Sequence, residues 1–150
     1  MDHPNDPGGE TNFGITKRFA RAKGYKGSMR ELSLELAAKW YRESLWDRYR
    51  LDEVARYSVD VAAYLFDMSV NHGQWTRIAQ NAVNSFVETV VDGVWGPKTH
   101  AAFVDAAQIH GARFLKELRF ARKAYYDYLI RKNPKLKVFK RGWDRRADAN

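Results

Sequence analysis

A chain of 150 residues that is 45% hydrophobic and 14% aromatic is long enough and apolar enough to bury the core of one domain, which excludes disorder over most of its length. It has no cysteine, which excludes disulfides and thiol catalysis, and its longest uninterrupted apolar run, Val61 to Phe66, is too short for a membrane span. With 26 Lys and Arg against 18 Asp and Glu the net charge is +8, so an anionic partner is expected: nucleic acid, anionic lipid or a bacterial envelope.

Residues 1–12 read as loop. Within Asn5 to Thr16, two acids, two hydroxyls and two amides are interleaved with three glycines and a proline. Pro7 before Gly8-Gly9 signals a tight turn. Such a loop can hold an Asp and a Thr for hydrolysis. It can equally be a solvated turn with Thr11 or Thr16 capping a helix. Ile15 to Lys23 has helical spacing, with Ile15, Phe19 and Ala22 on one face. Gly24-Tyr25-Lys26-Gly27 breaks it, and the one strand signal is a short hairpin near Lys23 to Met29. Ser33 caps a helix whose stripe is Leu34, Ala37, Ala38, Tyr41, Leu45 and Tyr49.

Asp52 to Asn71 is apolar on nearly all sides, the pattern of a central buried helix. Asp67 lies inside it. A buried carboxylate must be paired, so Asp67 is either a site acid or a structural Asp tied to backbone or an Arg. Gly73 closes that helix. Trp75 to Phe86 is amphipathic, and Asp92-Gly93 is a turn signal. Pro97 suits the first turn of a helix running to Ala107. His110 to Lys132 is a long aromatic-rich helix stopped by Asn133-Pro134. Lys135 to Ala147 reads as a last basic helix carrying Phe139 and Trp143. The fold class is mainly α, one helical domain around a central buried helix, with one short hairpin at most.

His3, His72, His100 and His110 are isolated, so no metal site is expected. There is no phosphate loop and no serine in a nucleophile elbow. No cofactor is expected. Nothing reads as a nucleic-acid recognition helix or stacking platform. Carboxylate chemistry remains, and glycoside hydrolysis is its common form.

The run Asp2 to Thr16 resembles the active-site loop of the glycoside hydrolase family 108 muramidases, phage endolysins and bacterial proteins once called secretion activators. Asp67-Met68-Ser69-Val70-Asn71-His72-Gly73 resembles that family's central-helix ending. Asp92-Gly93-Val94-Trp95-Gly96-Pro97-Lys98-Thr99 resembles the signature of its peptidoglycan-binding part, and Gly142-Trp143-Asp144-Arg145-Arg146 its closing segment. The resemblance implies a lysozyme-like domain over 1–150, with a muramidase part at 1–87 and a peptidoglycan-binding part at 88–150. It implies cleavage of the bond between N-acetylmuramic acid and N-acetylglucosamine, in the periplasm or cell envelope.

In that family a Glu-Gly-Gly motif closes the first helix and supplies the catalytic acid, about nine residues before an Asp, with a Thr beyond it; the acid's work is to protonate the leaving oxygen. Asp6 matches the Asp and Thr11 the Thr. Glu-Gly-Gly does not occur in these 150 residues. The expectation is that the chain starts downstream of the family's first helix; the alternative is a non-catalytic peptidoglycan-binding protein. Glu10 is a weak substitute acid. Asn12, Asn71, Tyr126 and Trp95 are the candidate substrate-binding residues, against a helix cap for Asn71, an ordinary amphipathic tyrosine for Tyr126 and a core anchor for Trp95. A dimer formed through the gap left by the first helix is a further expectation.

Overall fold

The computed structural model describes residues 10–149, which fall into two compact units divided between Ser44 and Leu45. In the first, β1 (Thr11–Asn12) pairs antiparallel with β2 (Ile15–Thr16), Thr11 opposite Thr16 and Asn12 opposite Ile15. The hairpin therefore lies at 11–16 and not near Lys23 to Met29. Ile15 is a strand residue, and helix α1 is only Lys17–Ala22, capped by Thr16 Oγ1 accepting from Phe19 N at 3.1 Å. The i, i+4 spacing of Ile15 and Phe19 imitates a helix because both side chains enter one small core with Ala20, Met29, Leu32, Ala37 and Trp40. Helix α2 (Leu34–Tyr41) starts at Ser33, whose hydroxyl accepts from Leu36 N at 3.1 Å. It passes into a π-helical turn, Arg42–Asp47, which shifts the register of the stripe expected to continue to Tyr49.

The second unit holds the larger core. Helix α3 (Leu51–Ala55) and helix α4 (Val59–Asn71) replace the single helix expected over 52–71; the break falls at Ser58, which caps α4 through Val61 N. Helix α4 buries Val61, Ala62, Tyr64, Leu65 and Met68, but Val59 is 67% exposed. It is central on one side only. Helix α5 (Trp75–Val83) packs against α6 (Pro97–Lys132). Helix α6 joins the two helices expected over 97–132, with one non-helical residue, His110 (φ −126°), where its ring stacks on Phe86 at 4.5 Å. After Asn133 a 3-10 turn, Pro134–Phe139, precedes α7 (Lys140–Ala149). Phe103, Phe114 and Leu118 of α6 fill the space against α4 and α5, where truncation of any one to Ala costs about 2–5 kcal/mol. Among the described residues no helix is long and apolar enough to cross a membrane.

Candidate active site

In the first unit the hairpin fixes Glu10, Thr11 and Asn12. Phe13 (φ 53°) and Gly14 (φ 77°) are both left-handed, the geometry of a tight two-residue hairpin turn. A methyl group at Gly14 would collide with the Tyr41 hydroxyl, which donates to Phe13 O at 2.9 Å. Asn12 Nδ2 donates to Met29 O at 2.8 Å, so this amide ties the hairpin to the loop behind it. Thr11 is half-buried. The Glu10 carboxylate lies 3.8 Å from Lys17 Nζ. That is the setting of a part-exposed ion pair. Asp6 lies outside the described residues.

In the second unit a polar cluster closes the end of α4. The Arg122 side chain is fully buried, and its Nη1 sits 2.8 Å from Asp67 Oδ2. The contact is ionic, because neither Nη has a directed hydrogen bond among the described residues. Arg122 Nε donates to Tyr126 Oη at 2.8 Å and to His72 Nε2 at 3.2 Å, while its guanidinium covers the Tyr64 ring at 5.3 Å. His72 Nε2 is thus an acceptor, also for the Tyr126 hydroxyl at 3.1 Å. Burial and then the Arg122 charge push the His72 imidazole down to about 4, so it is neutral at neutral pH. Burial raises both tyrosines, Tyr64 to about 12.

Asn71 continues this cluster to the surface. Its Nδ2 donates to Asp67 O at 2.8 Å and its Oδ1 accepts from Arg146. Tyr64 Oη donates to Ala147 O at 2.7 Å, and the Trp143 ring packs on Tyr126 at 5.1 Å. These bonds hold α7 against α4 and α6. Asn71 and Tyr126 are therefore brought into one cluster.

Trp95 belongs elsewhere in the same unit. Its half-buried ring meets Tyr49 at 5.3 Å and His100 at 5.1 Å, as an anchor for the Asp92-Gly93 turn. Gln80, fully buried, ties that turn down. Its Nε2 donates to Asp92 Oδ1 (3.0 Å), Val94 O (3.2 Å) and Thr99 Oγ1 (3.0 Å), and its Oε1 accepts from Asp92 N (3.1 Å) and Gly93 N (2.9 Å). Among the described residues no three of His, Asp and Glu lie close enough to share a metal ion.

Residues 1–73 match the family model Glycosyl hydrolase 108. Residues 1–73 belong to the glycosyl hydrolase 108 family. Residues 75–148 match a second model, Predicted Peptidoglycan domain, so the two together cover nearly all of the sequence. The structure is similar to that of Brucella abortus SagA, at 28% identity and a TM-score of 0.69, over 99% of this chain and 81% of that one. No curated protein matches the chain. The α4 cluster lies across the seam of the two matched regions: Asp67, Asn71 and His72 belong to the glycosyl hydrolase 108 region, Arg122, Tyr126 and Arg146 to the peptidoglycan region.

Sequence reading missed Arg122 and Gln80. Arg122 carried a signal: it interrupts the apolar face Leu118–Tyr126 of its helix, as Asp67 interrupts that of α4. Two opposite charges on two apolar faces must find each other.

Proposed function

We propose that this chain is a peptidoglycan hydrolase of muramidase type, acting on the glycan strand in the bacterial periplasm or envelope. The observation that carries the reading is the pair of family models, a glycosyl hydrolase over 1–73 and a peptidoglycan domain over 75–148. In this reading Asp6 stabilises the oxocarbenium-like transition state or orients water, and Thr11 holds that water or the carboxylate through its hydroxyl. An acid at the family's Glu-Gly-Gly position protonates the glycosidic oxygen, so the sugar–oxygen bond breaks as the leaving hydroxyl gains its proton. Asn12 in the first unit and Asn71 in the second are each candidates to pair an amide with an acetamido group of the sugars, and buried Tyr126 supports the Asn71 end of α4 through His72 and Arg122. Trp95 acts by holding the Asp92-Gly93 turn.

A second reading is a protein that holds peptidoglycan without cutting it. It is favoured by the Lys17 ammonium beside Glu10, the one acid of the loop among the described residues.

The test compares this chain with a version carrying a Glu-Gly-Gly helix upstream, on purified sacculi. The proposal expects the extended protein to release soluble fragments faster by about 10²–10⁴, the usual contribution of a general acid. Equal, measurable rates would contradict the acid assignment and direct attention to Glu10. Binding with no hydrolysis by either form would favour the second reading.

A further inference from the structure

Beside the α4 cluster the second unit carries a groove between α5 and the C-terminal half of α6, with a volume of about 710 Å³. That lies within the roughly 300–1,000 Å³ of small-ligand clefts. Buried Ile78 and Ala82 form its floor. Gln74, Asn81 and Ser85 of the α5 side face Phe120, Tyr125 and Tyr128 of α6 across it. Phe120 is 71% exposed and Tyr128 44%, both along one groove. The rings of Tyr125 and Tyr128 are nearly parallel, 26° apart with centroids at 6.4 Å. Tyr125 also meets the His72 ring at 6.0 Å, so the groove opens next to the end of α4.

Charge selects the occupant. The chain is strongly basic, yet among the described residues the charged side chains lining this groove are only Arg77 and Glu117. Arg77 is already engaged, its Nη1 and Nη2 donating to Val91 O (3.3 Å) and Asp92 O (3.2 Å). At the C-terminal end of the groove Lys132 Nζ lies over the Tyr128 ring, 5.5 Å from its centroid, so Arg77 and Lys132 are both engaged, one by backbone carbonyls and one by an aromatic face. The side chains of Gln74, Asn81 and Ser85 make no hydrogen bond within the protein among the described residues. They form a row of amide and hydroxyl groups opposite a row of aromatic faces. A neutral ligand with apolar ring faces and amide substituents fits both rows. N-acetylated pyranoses have that chemistry: axial C–H faces stack on aromatic rings, and acetamido groups pair with Asn and Gln.

We propose that the α5–α6 groove binds a run of N-acetylated sugars of the peptidoglycan glycan strand, continuing it away from the α4 end. This rests on the peptidoglycan reading above and assigns it a site. Between residues 117 and 128 the α6 wall is roughly 16 Å long, enough for several rings in line.

The test titrates the full chain with the β-1,4-linked tetramer of N-acetylglucosamine, followed by amide chemical shifts, alongside co-sedimentation with sacculi. The expected result is shifts confined to residues 74–85 and 117–128. Phe120→Ala combined with Tyr128→Ala should weaken tetramer binding about 10-fold or more, with the thermal midpoint kept because both rings are exposed. Asn81→Ala should weaken it by a smaller factor. If the double variant binds tetramer and sacculi as the wild type does, the groove assignment is overturned and the peptidoglycan reading stands. Wild-type protein that binds neither overturns both. Shifts in the groove caused by a free stem tetrapeptide and not by the sugar would overturn the neutral-glycan occupant. A dimer in light scattering that the double variant dissolves would make the groove a contact between copies and overturn the proposal.

Discussion

Two polar clusters in the second unit solve the same problem in opposite ways. Around Gln80 the groups are an amide, a hydroxyl, backbone carbonyls and N–H donors, and one exposed carboxylate; each Gln80 side-chain atom is bonded. Around Arg122 the cluster combines a buried cation, a carboxylate, two tyrosines and a neutral histidine, with both Nη atoms short of directed bonds. A satisfied neutral cluster serves the fold: it holds the Asp92-Gly93 turn. A charged, incompletely satisfied one is costly to bury and leaves bonding capacity beside the surface residue Asn71. The difference separates a turn lock from a candidate site.

The largest effect expected is at Arg122. Arg122→Met strands the Asp67 charge and removes the donor to Tyr126 and His72. The loss in urea unfolding should be about 3 kcal/mol, the low end for a broken buried pair because the Asp67 side chain keeps 28% of its exposure. Adding Asp67→Asn should restore more than half of it, since neighbouring sites do not add. Full additivity would show that the pair does not act as a unit.

Gln80→Leu should cost about 2 kcal/mol by leaving the Asp92 and Gly93 N–H groups unpaired. Sacculus binding per folded molecule should be unchanged. Lost binding at full folding would erase the distinction between the two clusters.

The smallest effect is a pH dependence from His72. Its folded-state value, about 4, is below the ordinary 6.5, so below pH 6.5 the unfolded chain binds the proton that the folded chain refuses. Stability is therefore complete above pH 6.5 and falls as the pH drops toward 4, where the loss saturates. One such proton is worth at most about 1.4 kcal/mol per pH unit; with His72 only partly buried the total should be about 1–2 kcal/mol. His72→Gln should remove this component from the stability–pH curve, and an unchanged slope would show that His72 is not the group.

Helix content was legible where periodicity and caps agreed: Ser33, Pro97 and Asn133-Pro134 mark helix ends as expected. The hairpin was not, because Ile15 and Phe19 meet one small core and so imitate a helical repeat. The α4 helix looked apolar all round in sequence, yet Val59 and Val70 face out. Periodicity reports which residues are apolar, and only packing decides which are covered. Of the candidate site, Asn71 and Tyr126 were named without their link, since the residues that join them, Arg122 and His72, become neighbours only when α4 packs on α6. Asp67 was read with two alternatives, and the Arg122 contact supports the structural one.

The measurement closest to the central claim is the chemistry of the cut. Sacculi digested with the protein extended by the Glu-Gly-Gly helix should yield fragments whose new reducing end is N-acetylmuramic acid, seen as its alditol by mass spectrometry after borohydride reduction. New reducing ends on N-acetylglucosamine, or fragments freed only by peptide-bond cleavage, would contradict a muramidase.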